Sequence, residues 1–242
     1  MAEEFPSVEE LRERLREARE RIALSAQRSG RSPEEVTLVA VSKTHPAEIL
    51  RRAIEAGVTD LGENRVQEAE GKILEIGREP ARWHLIGHLQ SNKARRAVQL
   101  FELVHSLDSG ELAQRLDRMC GEEGRASLSV MIQVDLAGEE TKTGIPESEL
   151  PELVERVAAC EHLRLKGLMT LPPFFEDSER ARPYFKRLRG LRDRFRAAGA
   201  FGDEPGELSM GMSNDFEVAV EEGATMVRVG TAIFGQRAVK KL

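Results

Sequence analysis

Val36-Thr37-Leu38-Val39-Ala40-Val41-Ser42-Lys43-Thr44-His45-Pro46 is the stretch that decides the fold. Residues 36–42 are apolar and β-branched for most of their length, the pattern of a strand buried on both faces. The strand ends in an ammonium group, which is almost never fully buried without a partner. No glycine-rich fingerprint follows it, and a helix takes over from Pro46. A doubly wound open sheet would carry its phosphate-binding turn here, after the first strand. In this chain the glycines and hydroxyls that could hold an anion come last instead.

Upstream, residues 7–29 read as a helix. Ser7 can cap it with Glu10 as the capping-box partner, and Leu11, Leu15, Ile22 and Ala26 form an apolar stripe. Downstream, short strands at 59–62, 83–86, 103–106, 128–134, 165–170, 207–210 and 225–229 alternate with helices. The helices are expected from Pro46, over 64–76, from Ser91, and over 109–123, 147–159, 178–198 and 215–222, with a last short one opened by Gly230. Eight strand–helix units in 242 residues predict an α/β fold, a closed (β/α)8 barrel of TIM type behind an extra N-terminal helix. The open doubly wound sheet is the runner-up. One domain is expected over 1–242, with the helix at 7–29 and the barrel at about 35–237.

Composition narrows the function classes. Hydrophobic residues make up 40% and the formal net charge is −6, which gives no pull toward nucleic acid or an anionic membrane. No apolar run is long enough to span a bilayer, and the acidic start Met1-Ala2-Glu3-Glu4 is unlike a secretory or transit signal. A cytoplasmic location is expected. Cys120 and Cys160 fall in helical patterns far apart and read as ordinary helix residues rather than a redox pair.

Barrel chemistry sits at the carboxyl ends of the strands. Those ends here read Ser42-Lys43-Thr44, Gly62-Glu63-Asn64, Gly87-His88, Ser106-Leu107-Asp108, Val134-Asp135, Met169-Thr170, Ser209-Met210-Gly211-Met212-Ser213 and Arg228-Val229-Gly230-Thr231. They are polar and glycine-rich where the strand bodies are apolar. The last two loops occupy the usual phosphate position. Ser209, Ser213 and Thr231 offer hydroxyls, Gly211 and Gly230 permit close backbone approach, and the last helix starts at Thr231 with unpaired amides. A desolvated lysine such as Lys43 yields a neutral amine that forms a Schiff base with an aldehyde. Arg228, two residues before Gly230, shares its face. It is either in a buried ion pair with Glu207 or Asp135, or donating to a pyridine nitrogen. Arginine keeps its proton, so such a ring nitrogen stays unprotonated and the ring is a poor electron sink.

Other residues read more plainly. His84 and His88 lie on a strand and its exit, not on one helix face, and Leu85 stands where a metal-binding helix has Glu; His84 is expected inside the barrel, satisfied by a neighbour. Lys93 and Lys142 read as solvated, with gathering of an anionic ligand as the alternative. No Gly-x-Ser-x-Gly elbow is present.

The matching stretches are Val39–Thr44, Gly62–Glu68, Trp83–Lys93, Lys142–Ile145, Gly167–Met169, Leu208–Asp215 and Thr225–Gly235. Through them the chain resembles the pyridoxal phosphate homeostasis proteins, which look like the N-terminal barrel of alanine racemase standing alone. The resemblance implies a fold-type III barrel that binds pyridoxal 5'-phosphate and supports vitamin B6 balance, without an accepted reaction. It implies Lys43 as the Schiff-base lysine, with Ser209, Ser213, Gly230 and Thr231 around the phosphate. Arg228 would lie at the ring nitrogen and Asn64 near the cofactor.

A racemase of this type also needs a tyrosine on the opposite substrate face, supplied by a further β-domain. The one tyrosine here, Tyr184, falls in the helix after the sixth strand. Two-base proton transfer then lacks its second base. Three readings follow. The leading one is a carrier or buffer of pyridoxal phosphate, with apo-enzymes as acceptors. The second is an amino-acid racemase or lyase. The third is a phosphate-binding barrel without the cofactor. A monomer is expected, and the Pro172–Phe175 loop reads as either a lid or a partner contact.

Overall fold

The computed structural model describes residues 5–138 and 143–235. A first helix, α1 (Val8–Arg28), precedes β1 (Thr37–Val41) and α2 (Ala47–Glu55). Then follow β2 (Asp60–Glu63), α3 (Val66–Ile76), β3 (Arg82–Leu85), α4 (Ala94–Leu100), β4 (Leu103–Leu107) and α5 (Gly110–Glu122). After β5 (Leu128–Asp135) come the two-residue β6 (Ile145–Pro146), α6 (Leu150–Ala158), β7 (Leu163–Met169) and α7 (Arg182–Ala197). The last elements are β8 (Glu207–Met212), α8 (Phe216–Glu221), β9 (Met226–Val229) and α9 (Thr231–Phe234).

All strand pairings are parallel, and β1 pairs with both β2 and β9, which closes the sheet on itself. The closed ring is β1-β2-β3-β4-β5-β7-β8-β9. This is the expected (β/α)8 barrel, and the open sheet is excluded because a closed ring has no edge strands. The sequence reading omits β6, which pairs only with the end of β5 (Val134 opposite Ile145) and lies outside the ring. Two residues carry no periodicity to read. The strands β4 and β8 also run further than read, to Leu107 and Met212.

The apolar face of each helix packs on the outside of the barrel. Trp83, Phe101, Phe185 and Phe216 are fully buried in that layer together with Leu50, Leu61 and Leu112. The extra helix α1 is capped as read: the Glu10 amide donates to Ser7 Oγ at 3.2 Å, and the Ser7 amide donates to the Glu10 carboxylate at 2.7 Å. It straps the end of the barrel to its start. Arg21 pairs with Glu217 at 3.0 Å and Arg28 with Glu221 at 2.7 Å. Arg31 donates to the carbonyls of Val220 and Ala224, both at 2.9 Å.

Cys120 is buried in α5 and Cys160 half-buried just past α6; both are free thiols. Burial holds both thiols above their ordinary pKa. Among the described residues no helix is long and apolar enough to cross a membrane. Lys142 and the last two residues of the expected barrel range, 236 and 237, lie outside the described residues.

Candidate functional site

The carboxyl ends of the strands meet in a cavity of about 500 Å3. Lys43, just past β1, and Asn64, just past β2, line one side. Met212, Ser213 and Asp215 from the β8–α8 turn line another, beside Arg228, Gly230 and Thr231 from the end of β9. Leu171, Pro172 and Phe174 of the loop after β7 complete the wall, and Phe174 is 76% exposed. The Asn214 amide donates to the Phe175 carbonyl at 2.9 Å, which ties that loop to the β8 turn. A cleft of about 610 Å3 opens at the opposite end, at Thr59, Arg78, Arg82 and Glu102. Its two arginines are paired, Arg78 with Glu102 and Arg82 with Asp60, each at 2.8 Å.

Six of the seven residues expected at the site therefore line one cavity: Lys43, Asn64, Ser213, Arg228, Gly230 and Thr231. Ser209 does not. Its side chain is fully buried inside the barrel, accepting from Arg228 Nη1 at 2.6 Å and lying 2.9 Å from His105 Nδ1. The hydroxyl of this seventh residue supports the arginine instead of facing the cavity. Depth along the strand explains this: Ser209 sits early in β8, inside the barrel, while Ser213 follows the strand's end at the mouth.

Arg228 is also not in either ion pair weighed from the sequence. Its second nitrogen, Nη2, donates to the Thr170 carbonyl at 2.9 Å. Burial lowers its pKa to about 10, against the opposing pull of Asp215, so it is still a cation at neutral pH. A guanidinium has five donors, so an acceptor in the cavity adds to these contacts.

The loops after β8 and β9 are set by backbone. The Gly230 amide donates to Ser213 Oγ at 3.1 Å, which joins the two loops. α9 opens at Thr231 on the cavity wall, and the first amides of any helix lack carbonyl partners within it. Gly211 is required by space and dihedral together. Its φ is +91°, and a Cβ there would meet the Ala219 Cβ at 2.6 Å and the Phe216 Cα at 2.9 Å. Asp215, which sequence reasoning read only as the start of a helix, lines the cavity and accepts from the Met212 amide at 2.6 Å. Burial pushes its carboxyl up, against the pull of that amide and of Arg228. The signal for it was its place as the helix-capping residue of Ser213-Asn214-Asp215.

Lys43 is half-buried, and the backbone on either side of it is clamped. Lys72, in α3, donates to the Ser42 carbonyl at 2.8 Å, to Glu63 at 2.6 Å and to Glu68 at 2.7 Å. The Ser42 hydroxyl donates to the same Glu63 oxygen at 2.6 Å. Glu68 in turn accepts from the Thr44 amide, and Thr44 has φ +70°, a left-handed conformation that non-glycine residues rarely adopt. Glu63 is fully buried and its second oxygen has no hydrogen-bond partner, so burial raises its pKa in spite of Lys72. Burial acts the same way on Glu68, but hydrogen bonds from Lys72 and Thr44 outweigh it and the pKa is lowered. This clamp was missed in the sequence, because Lys72 four residues after Glu68 looks like any surface pair.

His84 is inside the barrel as expected, between Asp60 and His105. His88 pairs with Asp108 at 3.0 Å on the rim, so the two histidines diverge. Lys93 is half-buried in a 3₁₀ turn and does not line the cavity. Tyr184 stacks on Phe175 with ring centroids 6.0 Å apart, away from the cavity lining.

The fold and site together are those of a parallel barrel with an amine past its first strand and hydroxyls and glycine in the loops after its last two strands, all on one cavity. The family model that matches this chain, over residues 11–238, is described as alanine racemase, N-terminal domain. The pyridoxal phosphate homeostasis protein of Aquifex aeolicus is 41% identical over 93% of this chain and 97% of its own. That of Escherichia coli K12 is 42% identical over 94% and 97%. The solved structure of PipY from Synechococcus elongatus PCC7942 with PLP bound matches with a TM-score of 0.78 and 39% identity, over 93% of this chain and all of that one. The chain belongs to the pyridoxal phosphate homeostasis protein family.

Proposed function

We propose that this protein binds pyridoxal 5'-phosphate and carries or buffers it for intracellular vitamin B6 homeostasis. Lys43 is the amine that holds the cofactor's aldehyde. Ser213, Gly230 and Thr231 cradle the phosphate, Arg228 donates to the ring nitrogen and Asn64 lies alongside. Ser209 acts one step back, under Arg228. The observation that carries this reading is the convergence of an amine, an anion cradle and a buried cation in one cavity. That donor set fits a ligand with an aldehyde, a phosphate and a ring acceptor. The PLP-bound relative supports it.

When bound, the cofactor supplies an electrophilic carbon and an aromatic ring that can accept electrons. This chain's residues hold it without exploiting the ring. Arg228 donates a hydrogen bond but keeps its proton, so the ring nitrogen is left unprotonated. No tyrosine is among the described residues that line the cavity, so the tyrosine base of a racemase has no counterpart among them. The relatives named as homeostasis proteins rather than enzymes support a non-catalytic role. The protein is further proposed to be cytoplasmic, a single domain over 1–242 and a monomer, with apo-enzymes that use pyridoxal phosphate as acceptors.

Borohydride reduction after incubation with excess pyridoxal phosphate, followed by peptide mapping, tests the reading. A pyridoxyl adduct on Lys43, lost in Lys43→Ala, is expected. No adduct on any residue overturns it. Exchange of an amino acid's α-proton with solvent, abolished in Lys43→Ala, would favour the racemase or lyase alternative.

A further inference from the structure

A line of polar side chains runs through the barrel interior from the cofactor cavity to the opposite end, each from a different strand. Arg228 Nη1 donates to Ser209 Oγ at 2.6 Å. Ser209 Oγ lies 2.9 Å from His105 Nδ1, and His105 Nε2 lies 3.0 Å from His84 Nδ1. His84 Nε2 lies 2.9 Å from Asp60 Oδ1. The other Asp60 oxygen accepts from Arg82 at 2.8 Å and from the Thr59 hydroxyl at 2.7 Å. All five members from Asp60 to Arg228 are buried.

The two ends of this line fix its direction. A guanidinium only donates and an ionised carboxylate only accepts, while a hydroxyl and a neutral imidazole each do both. With both rings neutral, one arrangement satisfies every atom. Arg228 donates to Ser209, Ser209 to His105, His105 to His84 and His84 to Asp60. Both imidazoles then carry hydrogen on Nε2. The reverse order leaves the Ser209 hydrogen without an acceptor in the line. Burial above all, with the nearby Arg228 cation, holds the His105 pKa well below its ordinary value, which agrees with a neutral ring.

We propose that Asp60, His84, His105 and Ser209 form a one-way hydrogen-bond chain that positions Arg228 at the cofactor cavity from the far end of the barrel. They are positioning residues, not catalytic ones. The effect on bound cofactor rests on the pyridoxal phosphate reading; the tautomers of the chain do not.

Long-range 1H–15N spectra of histidine-labelled, cofactor-free protein test the chain. Both His84 and His105 are expected as the Nε2–H tautomer. In Asp60→Asn the amide oxygen turns to the donors Arg82 and Thr59, and the NH2 group turns to His84. Both rings are then expected to switch to Nδ1–H, an effect carried across two residues. A cationic or Nδ1–H His105 in the wild type, or an unmoved His105 in Asp60→Asn, overturns the proposal.

Ser209→Ala removes only the last link and keeps both Nε2–H tautomers. Loaded with pyridoxal phosphate, it is expected to release cofactor about tenfold faster and to shift the absorption band, since a hydrogen bond to a charged group is lost. Unchanged release and spectrum overturn the positioning role. If wild-type protein takes up no cofactor, the functional reading fails, while the tautomer result still decides the chain.

Discussion

Replacing Lys72 by methionine removes the ammonium at the centre of the clamp beside Lys43. Its side chain is 7% exposed and donates to three acceptors, so Lys72→Met leaves Glu63 with one hydrogen bond, from Ser42. Breaking one side of a buried ion pair costs about 3–5 kcal/mol, because an uncompensated charge remains. Against a total stability of roughly 5–15 kcal/mol that is a large share. It corresponds to a melting point lower by roughly 6–20 °C at this chain length. The loss depends on pH. The folded-state pKa of Glu63 is already raised above its unfolded value by burial, and removing Lys72 raises it further. A raised carboxyl is stabilising when protonated, below the unfolded pKa of about 4.3, and destabilising as pH rises through the folded value. Urea unfolding at pH 5 and pH 8 therefore gives a larger loss at pH 8. Adding Glu63→Gln to Lys72→Met recovers part of it at pH 8, since the amide carries no charge. A cost below about 1 kcal/mol, or the same cost at both pH values, would refute the reasoning.

Three further outcomes are expected. Gly87→Ala places a Cβ 2.4 Å from the Asn64 carbonyl oxygen and 2.8 Å from its Cα, backbone that cannot swing aside; it costs about 1–3 kcal/mol in a thermal melt and loosens cofactor retention, and an unchanged melt contradicts it. Burial alone would raise the Asp60 carboxyl, but hydrogen bonds from His84, Arg82 and Thr59 bring it from 3.8 down to about 2. Its contribution of about 2 kcal/mol is present at neutral pH and fades as pH falls from about 4 to 2, so the advantage of wild type over Asp60→Asn in urea unfolding shrinks over that window. Ser7→Ala removes the capping box of α1 at a cost of about 1 kcal/mol, visible as faster amide exchange at residues 8–11; unchanged exchange there rejects the cap's contribution.

The alternation of strands and helices was legible because each strand body, such as Val39-Ala40-Val41, is apolar and each exit is polar. The cavity was legible for the same reason, since strand exits are neighbours in a barrel whatever their sequence separation. What escaped the sequence depends on pairings across the ring. Ser209 and Ser213 look equivalent in sequence, but one faces the interior and the other the cavity. Lys72 reads as solvated until α3 is seated against the end of β1 and β2. His105 gave no signal because its partners come from β3 and β8, 21 and 104 residues away.

The seam between β1 and β9 governs how the protein comes off the ribosome. β1 is among the first strands made, and one of its two pairing edges is filled only by Met226–Val229. At roughly 5–20 residues per second, that edge waits on the order of 10–40 s for its partner. During that interval Thr37–Val41 is an apolar, β-branched ribbon with unsatisfied amides, able to pair with another nascent chain. Closure is thus a race between elongation and misassembly, and α1, which packs on α8 and α9 as well as on α2, is fully seated only when that race is over.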